Sequence, residues 1–399
     1  MANTSFYNQV SKIVTQGESF LTLLMNMGEA PDPKKLLNRT FNVKDTEKMV
    51  GKTAKTIAKL YEEGAPSADF YRPKKHETTN RTVGFTLEQI NAMRDHYETR
   101  VGRTANEKAM VIGIQSFKGG VGKSVTTVHL AQYLALKGYR VLILDCDPQA
   151  STTSSFGFIP DLAFTETDTI LPFLNGDKDS LHYCIKNTYF DGIDLIPSCL
   201  PLYDAEFGLY NAALASTDVE ERLSYWSEFR DGIDTVSDQY DVVLLDSPPA
   251  LGMISINILI ASDGVIVPTP PSLYDFASTT QYFKMAQKIS KQMPDKSFDF
   301  IKVLATRVDM SKPAAVDFSK AMKNEFAGHM YENMFKASGS IPAAASYFKT
   351  AYDITSKDRE LHGLRVDKRQ LEMMDNMFSE VLNDIYIAWG RRTPLLGVK

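Results

Sequence analysis

Residues 115–124 read Gln-Ser-Phe-Lys-Gly-Gly-Val-Gly-Lys-Ser. Glycines at this density let the backbone curl so that successive N–H groups point inward and form a nest for an anion. Lys123 would bridge a β- and a γ-phosphate, and the Ser124 hydroxyl would ligate Mg²⁺. The flanking residues suit that chemistry. An apolar run, Met110 to Ile114, precedes the loop, and a helical pattern running to Lys137 follows it. Strand, glycine-rich turn and helix is the context a phosphate-binding loop requires, and the new helix adds the positive end of its dipole.

Two further apolar runs end in carboxylates. Val141-Leu142-Ile143-Leu144-Asp145-Cys146-Asp147-Pro148-Gln149 reads as a buried strand that delivers two carboxylates, two residues apart, at its C-terminal end. In an α/β sheet that end faces the ligand crevice. Asp241 to Asp246 is a second such run, and Asp246 would hold Mg²⁺ through water, because Mg²⁺ sheds its hydration shell reluctantly. Pro248 and Pro249 stiffen the turn that follows.

The loop departs from the ordinary pattern at its start. Where a glycine usually stands, six residues before the lysine, this chain has Phe117, and a second lysine, Lys118, comes next. Residues 118–124 resemble the deviant Walker A motif of the ParA/MinD ATPase superfamily, and Asp145 to Gln149 resemble the second signature of ParA. The similarity runs over roughly residues 109–390 and is to the long, plasmid-type ParA proteins, including the RepA-type partition proteins.

That resemblance implies a site. Lys118, Gly119, Gly120, Val121, Gly122, Lys123, Ser124 and Val125 would hold ATP or ADP, and Lys118 would reach across a dimer to the partner's nucleotide. Asp147 would position or activate the attacking water, and Asp145 would support the Mg²⁺ shell with Ser124 and Asp246. Thr306 and Arg307 would lie near the adenine, or else simply end a strand. It also implies a function: a DNA partition ATPase with weak intrinsic, Mg²⁺-dependent activity. An ATP-dependent homodimer would bind nonspecific chromosomal DNA, and a centromere-bound ParB-type partner would stimulate hydrolysis. Binding of a specific operator would make the chain its own operon's repressor.

The elements that must position these residues follow the same logic. Strand candidates are 110–115, 140–145, 193–197, 241–246, 264–269 and 300–306, separated mostly by helical segments. Such alternation predicts a mostly parallel sheet with helices on both faces, and together with the loop and the ParA resemblance this implies a P-loop NTPase body over residues 109–399. Residues 1–38 carry Phe6, Val10, Ile13, Val14, Phe20, Leu21, Leu24 and Met25 at helical spacing, closed by Pro31 and Pro33. This stripe packs on its own domain or, as expected here, on a second copy of the chain. Residues 39–108 predict a helix-turn-helix or winged-helix DNA-binding domain and a linker. Two short helices meet at Val50-Gly51, Thr53 caps the second, and Lys52, Lys55 and Lys59 point outward. Thr86 opens a further helix with a capping box, and the polar residues 98–108 read as the linker. The alternative is a helical dimerisation domain with a solvated basic face.

Charge supports the division. The 399 residues carry a net charge of −5, yet residues 1–108 carry roughly +4 and the remainder roughly −9. In the C-terminal third Lys336, Lys349, Lys357, Arg359, Arg365, Lys368 and Arg369 are interleaved with Tyr347, Phe348 and Tyr352. A dimer would double that positive face, and Lys336, Lys349 and Arg365 are the candidates chosen from it for contact with DNA phosphates. Neither a secretory h-region nor a membrane-length apolar run is evident, so a cytoplasmic protein is expected, and the ParA resemblance implies association with the nucleoid. Cys146, Cys184 and Cys199 are too scattered for a disulfide framework or a zinc site.

Other classes fit less well. A MinD-like membrane-positioning ATPase needs a basic amphipathic C-terminal helix. The segment around Asp375–Trp389 instead holds Asp375, Glu380 and Asp384, with Arg391-Arg392 beyond it. An iron–sulfur reductase of the nitrogenase type needs bridging cysteines after the loop. An ATP-sensing transcriptional repressor is separated from a partition ATPase by whether DNA and a partner stimulate turnover.

Overall fold

The computed structural model describes residues 6–26, 37, 39–75, 79 and 81–391. Pro31, Pro33 and Arg392, which entered the sequence reading, lie outside them. The strands are β1 (Lys74–Lys75), β2 (Thr82–Gly84), β3 (Met110–Ile114), β4 (Val141–Asp145), β5 (Lys186–Asn187), β6 (Ile193–Ile196), β7 (Val242–Asp246), β8 (Gly264–Thr269), β9 (Phe300–Val308) and β10 (Phe335–Lys336). β1 and β2 form a separate antiparallel pair; the other strands make an eight-stranded sheet in the order β10-β9-β8-β3-β7-β4-β6-β5. All pairings in the larger sheet are parallel except β5 with β6.

β3, β4 and β7 are buried at every position. That is why they read as unbroken apolar runs: both faces of a parallel sheet are covered by helices. Register then decides the chemistry. β7 lies between β3 and β4, with Asp246 opposite both Ile114 and Asp145. The start of the glycine-rich loop and the two acidic strand ends are therefore neighbours at one edge.

The helix after the loop is α6 (Lys123–Lys137), buried almost all round. One side packs on the sheet. The other meets the helix Lys368–Ala388, where Tyr133 lies 5.7 Å from Phe378, ring to ring, and the Tyr139 and Tyr386 hydroxyls share a 2.7 Å hydrogen bond. A helix covered on both sides explains the apolar sequence Val128 to Leu134, which shows no clean polar face.

The N-terminal unit contains α1 (Phe6–Asn26), α2 (Val43–Val50), α3 (Ala54–Ala58), α4 (Ala68–Tyr71) and α5 (Leu87–His96). Gly51 takes φ +71 between α2 and α3, a left-handed bend that glycine adopts freely, and the Thr53 hydroxyl caps α3. α5 opens with the Thr86–Gln89 capping box. The short antiparallel β1–β2 pair comes between α4 and α5 in the chain.

This unit shares its core with the body built on the large sheet. Val50, Ile57, Phe85, Ile90 and Met93 belong to one cluster with Leu134 and Tyr139. Arg94 crosses the seam: buried, it donates to Met49 O and Leu136 O at 2.9 Å each, and to Asn91 Oδ1 at 2.7 Å. Residues 98–108, expected as a linker, have no regular structure but are fastened down. Arg103 donates to Tyr240 O at 2.8 Å and to Asp241 Oδ1, through its backbone N–H, at 3.0 Å; Glu107 pairs with Arg391. α1 is the exception, since Phe6, Tyr7, Ile13, Phe20 and Leu23 are all more than half exposed.

α6 is also tied to the segment around Ala351. His129 is fully buried; Nδ1 lies 2.7 Å from Val125 O and Nε2 accepts from the Ala351 N–H at 3.2 Å. With Nε2 accepting, the ring is neutral and Nδ1–H donates. Burial holds its pKa below the ordinary 6.5. The unfolded chain therefore takes up a proton that the folded chain refuses, and stability should fall as pH drops below 6.5, by up to ~1.4 kcal/mol per pH unit. Denaturant melts between about pH 7 and pH 5 test this. The slope should be shallower in His129→Gln than in the wild type, whatever the variant's absolute stability.

Candidate nucleotide site

The loop between β3 and α6 is shaped by two glycines with left-handed backbones, Gly120 at φ +72 and Gly122 at φ +98. Any side chain at either would strain the turn. α6 begins at Lys123, so the N–H groups of Lys123, Ser124 and Val125 have no partner within the helix. They are the donors an anion would meet. The base of the loop is anchored through Gln115, whose amide donates to Ser255 O at 2.8 Å and accepts from the Tyr282 hydroxyl at 2.6 Å. Phe117, in the place of the usual glycine, stacks edge-on against Tyr282 at 5.3 Å.

A cavity of about 830 Å³ opens over the loop, lined among others by Gly119, Gly120, Lys123, Asp147, Arg307 and Pro342. That volume suits a nucleotide-sized ligand. Lys123 is only 6% exposed, and its ammonium donates to Lys118 O at 3.3 Å. Burial lowers its pKa, opposed by Asp246 and Asp147. A buried ammonium with spare donors, beside unpartnered helix N–H groups, fits a triphosphate.

The carboxylates take distinct positions. Asp246 is fully buried and accepts from Thr152 Oγ1 at 2.7 Å and Thr127 Oγ1 at 3.2 Å, with Ser124 also bonding to it. Asp145 accepts from the N–H and hydroxyl of Thr153, both at 2.8 Å, and from Asp147 N at 3.2 Å. Burial raises the pKa of both. Asp147 lines the cavity itself, and its Oδ1 accepts from Gln149 N at 3.0 Å. Among the described residues, no cluster of three acidic, His or Cys side chains could hold a metal alone. The donor set of Ser124 and a buried carboxylate nevertheless fits Mg²⁺, which binds through one or two protein oxygens plus waters and phosphates.

Lys118 lies at the rim, with its side chain 42% exposed and its ammonium 2.6 Å from Asp275 Oδ1. Asp275 sits in the first turn of the helix Leu273–Ser290, where Ser272 caps it. Thr306 and Arg307 line the cavity, but their polar atoms hold the loop. Thr306 Oγ1 donates to Val121 O and Arg307 Nη1 to Gly120 O, each at 2.7 Å. Arg307 does so from a left-handed backbone, φ +52, which a non-glycine residue adopts at a cost.

The DNA candidates are scattered. Lys55 and Lys59 are exposed, and the Lys52 ammonium lies 5.6 Å from the Tyr97 ring centre. Lys336 lines the nucleotide cavity, and Lys349 pairs with Asp358 at 3.4 Å. Arg365 is exposed, in company with Lys357, Arg359, Lys368 and Arg369.

Sequence reasoning gave no role to Thr127, Thr152, Thr153 or Gln115. For two of them a signal existed: the hydroxyl run 151–155, Ser-Thr-Thr-Ser-Ser, directly follows the acidic strand end and forms α7 (Ser151–Ser155). Removing the Thr153 hydroxyl would leave Asp145 Oδ2 with one donor fewer in a buried site. Thr153→Val should cost about 1–3 kcal/mol in a denaturant melt without nucleotide, and Thr153→Ser should recover most of it.

A family profile described as "AAA domain" matches residues 109–300. Protein SopA of Escherichia coli K12 is 34% identical over 342 residues, covering 84% of this chain and 86% of SopA. The sporulation initiation inhibitor protein Soj of Bacillus subtilis is 30% identical over 254 residues, 63% of this chain and 94% of Soj. Among solved structures, one titled "Partition Protein" aligns with a TM-score of 0.64 at 18% identity, covering 97% of this chain and all of that one. The ATP complex of a Cyanothece McdA variant aligns at 0.56 and 18%, covering 72% and 99%. The two structures speak to the fold; the identity to SopA across most of both chains, joined to the loop and acidic strand ends described above, places this chain in the ParA family of partition ATPases.

Proposed function

We propose that the chain hydrolyses Mg²⁺–ATP as a homodimer whose nucleotide state governs its hold on nonspecific DNA, and that this cycle segregates a replicon. The observation that carries the reading is Lys118. It is a second loop lysine, outside the phosphate nest, poised at the rim and held there by Asp275. A lysine with that reach serves a nucleotide shared with another copy better than its own.

Bound Mg²⁺–ATP would supply the scissile phosphoanhydride. The chain supplies the rest. Lys123 and the first N–H groups of α6 hold the phosphates; Ser124 and Asp246 supply oxygens toward the metal; Asp147 orients a water and accepts its proton. Asp145, bound to Thr153 and to the Asp147 N–H, keeps Asp147 in place. The exposed stripe of α1 supports a contact with the second copy. The two helices at Gly51, with the β1–β2 wing, support operator binding and autorepression. A ParB-type, centromere-bound protein would stimulate hydrolysis, as the family resemblance implies.

Three substitutions should separate the roles. Lys123→Ala should remove productive ATP binding. Asp147→Ala should bind ATP normally but lose about 10²-fold or more in turnover and persist in the ATP state. Lys118→Ala should keep much of its ATP affinity and lose both hydrolysis and ATP-dependent dimerisation. Equilibrium nucleotide binding, phosphate release and sedimentation read these out; normal turnover by Asp147→Ala would sink its assigned role.

For DNA, the exposed cations of residues 357–369 are better placed than Lys336 or Lys349. Binding to random duplex DNA should require ATP and weaken steeply with salt, with log K falling by roughly 0.9 per phosphate contacted for each unit of log salt. Arg365→Ala combined with Arg369→Ala should flatten that slope and leave nucleotide binding unchanged. Fluorescence anisotropy over a salt series measures it, and an unchanged slope would move the DNA face elsewhere.

A further inference from the structure

One wall of the nucleotide cavity is the phosphate nest. Two neighbouring strand ends build another. The end of β9 brings Thr306, Arg307 and Asp309 to it, and β10 brings Phe335 and Lys336. The strands run parallel with Lys336 opposite Val308, the residue before Asp309, so an ammonium and a carboxylate are neighbours on one rim. Ile341 and Pro342 add apolar surface to the same cavity. A nucleotide with its phosphates on the nest would leave its base for this wall.

Asp309 is aimed and has room to accept. Its Oδ1 takes the Ser311 N–H at 3.0 Å and the Ser311 hydroxyl at 2.6 Å, which fix the carboxylate's direction. Its Oδ2 meets the Lys312 ammonium at 3.3 Å, and that lysine's side chain is 73% exposed, so water can take the carboxylate's place beside it. The bonds from Ser311 also hold the pKa of Asp309 below its ordinary value, so the group is ionised at neutral pH. Lys336 stands half-buried in the wall.

This pair of charges distinguishes the purines. An ionised carboxylate only accepts hydrogen bonds, and an ammonium only donates them. Guanine presents the N2 amino group, N1–H and O6 in a row: two donors for an acid, then an acceptor for a neighbouring base. Adenine reverses the pattern, with an accepting N1 and a donating N6 amino group. Beside Asp309 and Lys336, adenine would be held by its phosphates and by stacking on apolar surface, whereas guanine would also pair along its edge. Such charge-assisted bonds are the strong ones, and a site built around them favours the ligand that completes them.

We propose that the cavity admits guanine nucleotides alongside adenine ones, with Asp309 accepting from N1–H and the N2 amino group and Lys336 donating to O6. The proposal rests on the nucleotide reading of the site and adds the base that its wall selects. Calorimetric titration of the full chain with Mg²⁺ and nucleoside diphosphates, which bind without being consumed, tests it. GDP should bind within about tenfold of ADP, and IDP, which lacks the N2 amino group, about tenfold more weakly than GDP. Asp309→Asn should lower the ratio of GDP to ADP affinity by about tenfold or more. The same variant should bind XDP more tightly than GDP, because xanthine has a carbonyl where guanine has N2, and an Asn amide donates where Asp repels. Lys336→Met should lower the GDP-to-ADP ratio in the same direction. GDP binding more than tenfold weaker than ADP, or IDP binding as tightly as GDP, overturns the proposal; neither result depends on a variant folding. A ratio unchanged in Asp309→Asn, in a protein that melts as the wild type does, also overturns it, and an unchanged ratio in Lys336→Met overturns the part given to Lys336. Binding of ADP without GDP leaves the nucleotide reading standing and removes only guanine; binding of neither refutes the nucleotide reading and the base assignment together.

Discussion

Asp246 is a carboxylate with no exposure to water, at the end of the strand that lies between β3 and β4. A buried charge must be met by donors or by opposite charge. Here Thr127 reaches it from α6 and Thr152 from α7, while Ser124 joins from the loop side and Lys123 lends its field. Satisfying this one group draws the phosphate loop, the first turns of α6 and the segment after Asp145 to a common point. Asp145 repeats the device one strand over, with Thr153 as its donor. The site is thus held before ligand arrives, and a bound cation would relieve the charge that burial penalises.

The supports radiate outward from there. Gln115 and Tyr282 fix the entry of the loop; Thr306 and Arg307 hold its crown by two carbonyls. α6 carries the constraint to its far end, where Leu136 O accepts from Arg94 of the N-terminal unit. The DNA-binding candidate helices and the phosphate loop are in this way attached to opposite ends of one rigid helix. The N-terminal unit and the phosphate loop therefore share one continuous packed support.

Three exposed features stand apart from this closed network. α1 leaves its apolar side chains in water, the Lys118–Asp275 pair sits at the cavity rim, and helix Tyr203–Ala215 shows an apolar line beside carboxylates. Each lies where another molecule can reach it without disturbing the core. Uncovered apolar surface of this kind is where partners act.

Much was legible in the chain itself. Each of the six long strands was readable from its apolar run, because parallel strands buried on both faces tolerate little else. The loop and the acidic strand ends were readable because phosphate and Mg²⁺ chemistry demands those residue types at those spacings. What the linear order could not carry was selection among equivalent residues. Lys336 and Lys349 look like Arg365 in sequence, yet one enters the cavity and another pairs with Asp358. Thr152 and Thr153 look like any hydroxyl run until register sets β7 beside β4 and gives each its own carboxylate. Residues 98–108 look like a linker until Asp241 and Arg391 bind them down. Local sequence thus determined the strands, the loop and their chemistry, since these depend on neighbours in the chain. Which charges stay free, which hydroxyls serve the carboxylates and which surfaces remain open were decided only by tertiary structure, because those properties belong to partners far away in sequence.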